Sequence, residues 1–185
     1  MGMRLAVSRY PELSESDIGE WTQLARRVHP PGAVWLGSDL QWAPIDPDDD
    51  LVRVWDDGEL RACAWVTRRA IEAAGEPARV AGVRGVMTHP DHRRRGYGRI
   101  AIGSVHEIIR SLDDCAFALL FSSVMAVPFY EALGWRPIPG PVFCQQNATT
   151  IDYTKRLPGA PVMVLMPEAG SAALPSPIDV KGPPW

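Results

Sequence analysis

The chain predicts a mixed α/β protein built around one sheet, and three observations carry that expectation. A turn dipeptide, Asp57-Gly58, joins two β-rich runs, 51–55 and 60–71, the strongest short-range hairpin signal. The apolar period then changes from strand-like over 78–87 to helical over 98–112. A wholly apolar run at 116–121 follows that helix directly, as a central strand does. The 185 residues match a single domain with a core of ordinary size, expected over 1–166. Residues 167–185 hold five prolines and little periodicity, and read as a C-terminal tail.

Composition excludes several classes. Hydrophobic residues make up 46% and charged residues 22%, so a packed core is expected rather than disorder. No apolar run reaches the ~20 residues of a spanning helix, and residues 1–17 lack the apolar stretch of a secretory leader. No membrane partner is expected. Cys63, Cys115 and Cys144 are odd in number and widely spaced, which fits a reducing, cytoplasmic setting better than a disulfide frame. With 19 basic and 22 acidic residues the net charge is −3, against nucleic-acid binding through phosphates.

The elements follow in order. An alternation within 3–10 opens as a strand. Ser14 or Ser16 can cap a helix over 17–28, where Ile18, Trp21, Leu24, Ala25 and Val28 recur at helical steps, and Pro30, Pro31 and Gly32 stop it. Residues 32–50 look irregular and end in an acidic run. The hairpin follows, then a turn at 74–77 and a valine-rich strand that breaks at His89-Pro90. Ala101, Val105, Ile108, Ile109 and Leu112 share one face of the next helix. After strand 116–121, a short helix over 127–133 stops at Gly134, and late strands are expected at 135–138 and 162–166.

One segment carries chemistry. From Val83 to Ala101 the chain runs strand, loop, helix, with Gly96 and Gly98 at the helix start and Arg93, Arg94, Arg95 and Arg99 around them. A helix N-terminus presents unpaired N–H groups and about half a positive charge. Glycine lets a ligand approach the backbone, and arginines add charge, which is how a pyrophosphate is held. A tight turn with solvated arginines is the competing reading of the loop alone.

The pattern Arg93-x-x-Gly96-x-Gly98 after Val-x-x-Val-x-Thr-His-Pro resembles the pyrophosphate loop of the GNAT superfamily of N-acetyltransferases. Phe129-Tyr130-x-x-x-Gly134-Trp135, after a strand ending in Ser122-Ser123, is similar to that family's next motif. A Rossmann assignment fails, because no acid ends a second strand about twenty residues on. The resemblance implies the GNAT fold, a central mixed sheet flanked by helices, and acetyl-CoA as co-substrate with no metal. It implies that Val86, Met87, Thr88 and Ser123 border the pantetheine between splayed strands. The backbone of Arg93, Arg94, Arg95, Gly96, Tyr97, Gly98 and Arg99 would hold the pyrophosphate. An N–H near Val86 would polarise the thioester carbonyl, and Tyr130 would act as general acid by direct attack in a ternary complex. His89 and His92 flank Asp91, but the loop offers no fourth ligand nearby, so no metal site is read there.

Within that superfamily the chain most resembles the aminoglycoside 2′-N-acetyltransferases, including an end at Trp185, which there borders the amine substrate. The acceptor side departs from that family. Arg84, Gln41 and Ala43 stand where it has acids, and Pro183 or Pro184 precedes the last tryptophan. Trp35, Trp42, Arg84 and Trp185 are the acceptor-site candidates, and a small-molecule amine is the expected partner. The base stays open among the Trp185 carboxylate, His89, the acids at 46–50 and a bound water. A CoA-binding module without turnover is the alternative from another class, and a homodimer is compatible with the sequence.

Overall fold

The computed structural model describes residues 2–32, 39–166 and 176–185. The chain folds as two compact units. The first comprises Met1–Trp35, Ile45–Thr67 and Val83–Ile108, and the second Leu36–Pro44, Arg68–Gly82 and Ile109–Trp185.

In the first unit, strand β1 (Arg4–Arg9) pairs antiparallel with β2 (Asp50–Asp56), placing Leu5 opposite Val54 and Val7 opposite Val52. β2 pairs antiparallel with β3 (Glu59–Ala73) through the Asp57-Gly58 turn. Both turn residues have positive φ, +50° and +79°, which the type I′ geometry demands. Helix α1 (Glu15–Val28) starts at Ser14, whose hydroxyl accepts from the Asp17 N–H while the Asp17 carboxylate accepts from the Ser14 N–H. That reciprocal pair selects Ser14 over Ser16 as the cap. Leu24, Leu51, Trp55, Leu60, Cys63, Trp65 and Met87 form the core of this unit.

β4 (Glu76–Thr88) follows β3, and helix α2 (Tyr97–Arg110) follows β4. The second unit adds β5 (Phe117–Phe121), short helix α3 (Val127–Glu131), β6 (Arg136–Pro137), β7 (Val142–Gln146), β8 (Thr149–Asp152), α4 (Tyr153–Arg156), β9 (Val162–Leu165) and β10 (Ile178–Asp179). The strand order is β6-β9-β5-β4-β3-β10-β7-β8. β10 runs parallel to β7 and antiparallel to β3, so the sheet is mixed, as the sequence predicts.

Two features depart from the sequence expectation. Residues 139–161, which carry no clear period, hold the β7–β8 hairpin and α4. The hairpin turn is Asn147-Ala148, both at positive φ (48° and 63°), a conformation that alanine does not advertise. The described end of the expected tail is also structured. Ile178 and Val180 are fully buried, the Gly182 carbonyl accepts from the Gln145 N–H, and the Pro184 carbonyl accepts from the Ala43 N–H at 2.7 Å.

Candidate active site

The loop between β4 and α2 begins as a helical turn at Pro90–His92, capped by His89, whose imidazole accepts from the Asp91 N–H. Arg93, Arg94, Arg95 and Gly96 are all exposed. Arg94 and Gly96 have φ of +63° and +91°, a left-handed bend that turns successive N–H groups toward one side. The first α2 bond runs from the Ile100 N–H to the Gly96 carbonyl at 3.0 Å. The N–H groups of Tyr97, Gly98 and Arg99 precede it and have no partner within the helix. A Cβ added at Gly96 would meet nothing within 4 Å. Backbone conformation therefore demands glycine there, and the space beside it is open to a ligand.

The Tyr97 side chain is committed elsewhere: its hydroxyl donates to the Asp56 carboxylate at 2.5 Å, which raises its pKa. Only its backbone remains available to an anion. Met87 is likewise a core residue, 4% exposed, so its expected cofactor contact is confined to main-chain atoms. Val86 and Thr88, on either side of it, are half-buried.

β4 leaves regular strand conformation at Gly85, where φ is +55°. A Cβ there would lie 3.1 Å from the Trp65 Cδ1 atom, so glycine is required both for φ and for room. Such an irregularity re-aims neighbouring groups and opens a ladder, often beside an active site. The pattern Val83-x-Gly-Val does not by itself reveal this strain.

Arg84, next to it, is half-buried, and its charge reaches the buried carboxyl of Asp49. The structure thus gives Arg84 an acidic neighbour, the packing alternative to a substrate contact. Trp42 is half-buried and meets the Phe121 ring edge-on at 6.2 Å. Trp35 lies outside the described residues. The Trp185 indole is 3% exposed, lies 5.4 Å from the Phe121 ring and donates to the Leu119 carbonyl at 3.4 Å. Its ring belongs to the core of the second unit.

Tyr130 also sits in the second unit, on α3, with its ring against Phe129 and Trp135 at 5.1 and 6.2 Å. It is 7% exposed, and burial pushes its hydroxyl well above the ordinary tyrosine range. Ser123 is exposed and precedes the turn Val124–Ala126.

His89 and His92 stand ring to ring at 5.0 Å, yet their Nε2 atoms face Arg27 and Arg61, each at 2.9 Å. Burial, then the Arg27 charge, lowers the His89 pKa. Among the described residues no group of three His, Cys, Asp or Glu side chains is placed to hold a metal, and no helix is long and apolar enough to cross a membrane.

Residues 9–138 match the family model described as the acetyltransferase (GNAT) domain. No curated protein matches the chain. Among solved structures, ElaA from Escherichia coli superposes with a TM-score of 0.62 at 15% identity, over 88% of this chain and 99% of that one. An acyl-CoA N-acyltransferase from Pseudomonas aeruginosa gives 0.61 at 12%, over 89% of this chain and 99% of that one. N-acetylglutamate synthase from Neisseria gonorrhoeae, solved with coenzyme A and L-arginine, gives 0.55 at 13%, over 88% of this chain and 33% of that one. At these identities the likeness carries the fold alone.

Proposed function

Because the chain belongs to the GNAT acetyltransferase domain family, we propose that it transfers an acetyl group from acetyl-CoA to a primary amine of a small molecule. The observation that carries this reading is the exposed 93–99 loop. It has two left-handed residues, open space at Gly96 and the N-terminus of a fourteen-residue helix. Its backbone donors suit a pyrophosphate, with Arg93, Arg94, Arg95 and Arg99 adding charge.

In this reading the amine attacks the thioester directly, and the N–H near Val86 stabilises the oxyanion. The strand irregularity at Gly85 supports that assignment. Tyr130 serves the leaving sulfur by donating a hydrogen bond. A thiol has a pKa near 8.5 and a free tyrosine near 10, so full transfer is already uphill by roughly 2 kcal/mol. Burial at Tyr130 makes it steeper still. A partial transfer that completes after the C–S bond breaks avoids that cost.

The acceptor is not a typical aminoglycoside. Arg84 puts a positive charge, and Gln41 and Ala43 neutral groups, where a polycation needs carboxylates. Each missing charged hydrogen bond is worth about 1.5–3 kcal/mol. A thiol-release assay with acetyl-CoA and an amine panel tests the proposal. Turnover with small amines and little with kanamycin, gentamicin or neomycin is the expected outcome. Release of CoA by no amine would favour the binding-only alternative.

A further inference from the structure

The acyl-transfer reading leaves one chemical need unmet. An alkylamine with a pKa near 10.4 is almost wholly protonated at pH 7, and freeing its lone pair costs about 4.6 kcal/mol. One carboxyl of the first unit has an unusual setting. Asp49 ends the acidic run before β2 and is fully buried, whereas Asp46 and Asp48 are exposed. Its Oδ2 accepts from the Asp46 N–H at 3.0 Å, and its carbonyl accepts from the Tyr10 N–H at 2.9 Å. Its Oδ1 is buried with no hydrogen-bond partner among the described residues.

Closing a turn requires only the oxygen already used. A buried charged acceptor left without a donor costs more than the 1–3 kcal/mol of a neutral one, so the free lone pairs call for a further donor, which a water can supply. Asp50 pairs with Val66, which sets Asp49 beside Thr67 of β3, and the charge of Arg84 on β4, two residues before Val86, acts on the carboxyl. We infer that Asp49 is the proton acceptor for the acceptor amine, reached through a water at Oδ1.

The inference rests on the acyl-transfer reading above. The ammonium gives one proton through the water to Oδ1, and the freed lone pair forms the C–N bond as the C–S bond breaks. The second amine proton ends on the CoA sulfur, and Asp49 returns the first to solvent. The groups facing the carboxyl fix its titration. Burial holds the pKa above 3.8, opposed by the Thr67 hydroxyl, the Asp46 N–H and the Arg84 charge, while the Asp46 charge raises it. Asp48 and Asp50, its chain neighbours, lie 3.8 and 4.0 Å from the Arg9 guanidinium. The ionised form is the base, so kcat/KM falls as pH drops through that raised value.

The test compares two nucleophiles with acetyl-CoA: ethylamine, protonated at pH 7, and methoxyamine, a weakly basic amine largely neutral there. Asp49→Asn should lower kcat/KM for ethylamine by about 10²-fold or more, abolish the acid-side inflection, and change the methoxyamine reaction by less than about 3-fold. Acetyl-CoA affinity, measured by calorimetry, should hold. Arg84→Gln gives a reading if the first variant does not fold: removing its charge should move the acid-side inflection upward. Equal losses with both nucleophiles, or an inflection unmoved by Arg84→Gln, would overturn the role of Asp49. Wild-type protein that releases CoA with neither nucleophile would overturn the acyl-transfer reading and this role with it.

Discussion

The loop at 93–99 and the buried rings of Tyr130 and Trp185 carry equally suggestive sequence signals, and the structure treats them in opposite ways. The loop keeps its arginines exposed and its backbone bent, with empty space where a side chain would stand. The two rings are 7% and 3% exposed and pack edge-on against other aromatics. A loop with exposed arginines and helix N–H groups that lack a partner within the helix has donors to offer a ligand. A ring folded into a core has already committed most of its surface to packing. Trp185 therefore acts first on stability, and in the proposed function the loop acts on binding and Tyr130 on chemistry only through its hydroxyl.

The largest expected effect tests the buried side. Trp185→Ala should cost about 3–5 kcal/mol of unfolding free energy, the range for removing a large aromatic from a core. The change also removes the indole donor to Leu119 and the ring beneath the Arg69 guanidinium, 5.3 Å from its centroid. Urea denaturation at constant slope measures it. A loss below about 1 kcal/mol would mean that the ring is not a core element in solution.

Tyr130→Phe separates ring from hydroxyl within the same buried class. Packing against Phe129 and Trp135 survives, so stability and acetyl-CoA binding should change little. If Tyr130 donates to the leaving sulfur as proposed, kcat should fall by about 10²-fold, at the low end for acid catalysis because the transfer is only partial. Steady-state kinetics under chemistry-limited conditions decide it, and wild-type kcat would leave Tyr130 as packing alone.

How far the sequence could be read follows the same division. The β2–β3 hairpin and α2 were legible because turn residues and apolar period agree there. Ser14 was one of two candidate caps, and only the reciprocal bonds with Asp17 distinguish it. The β7–β8 hairpin was not legible, since Asn147-Ala148 lacks the glycine that normally marks such a turn. β10 was hidden in a proline-rich stretch that looks unstructured, yet Ile178 pairs with Ala73 on one side and Val142 on the other. At the site, the glycine and arginine loop was visible as a motif. Asp49 was visible only as one acid in a run, because nothing local says which of Asp46, Asp48, Asp49 and Asp50 would be buried.

Binding of the acetyl-CoA pyrophosphate by the 93–99 loop is the central claim. Gly96→Ala tests it most directly, since its φ of +91° makes any side chain there reshape the donors. The strain should cost only about 1–2 kcal/mol of stability, leaving a folded protein to titrate. Calorimetry should compare acetyl-CoA with S-acetylpantetheine, which lacks the pyrophosphate. Acetyl-CoA binding should weaken about 10-fold or more in the variant, a loss of about 1.4 kcal/mol, while both proteins hold S-acetylpantetheine equally. Acetyl-CoA binding equal to wild type, or an equal loss with S-acetylpantetheine, would contradict the claim.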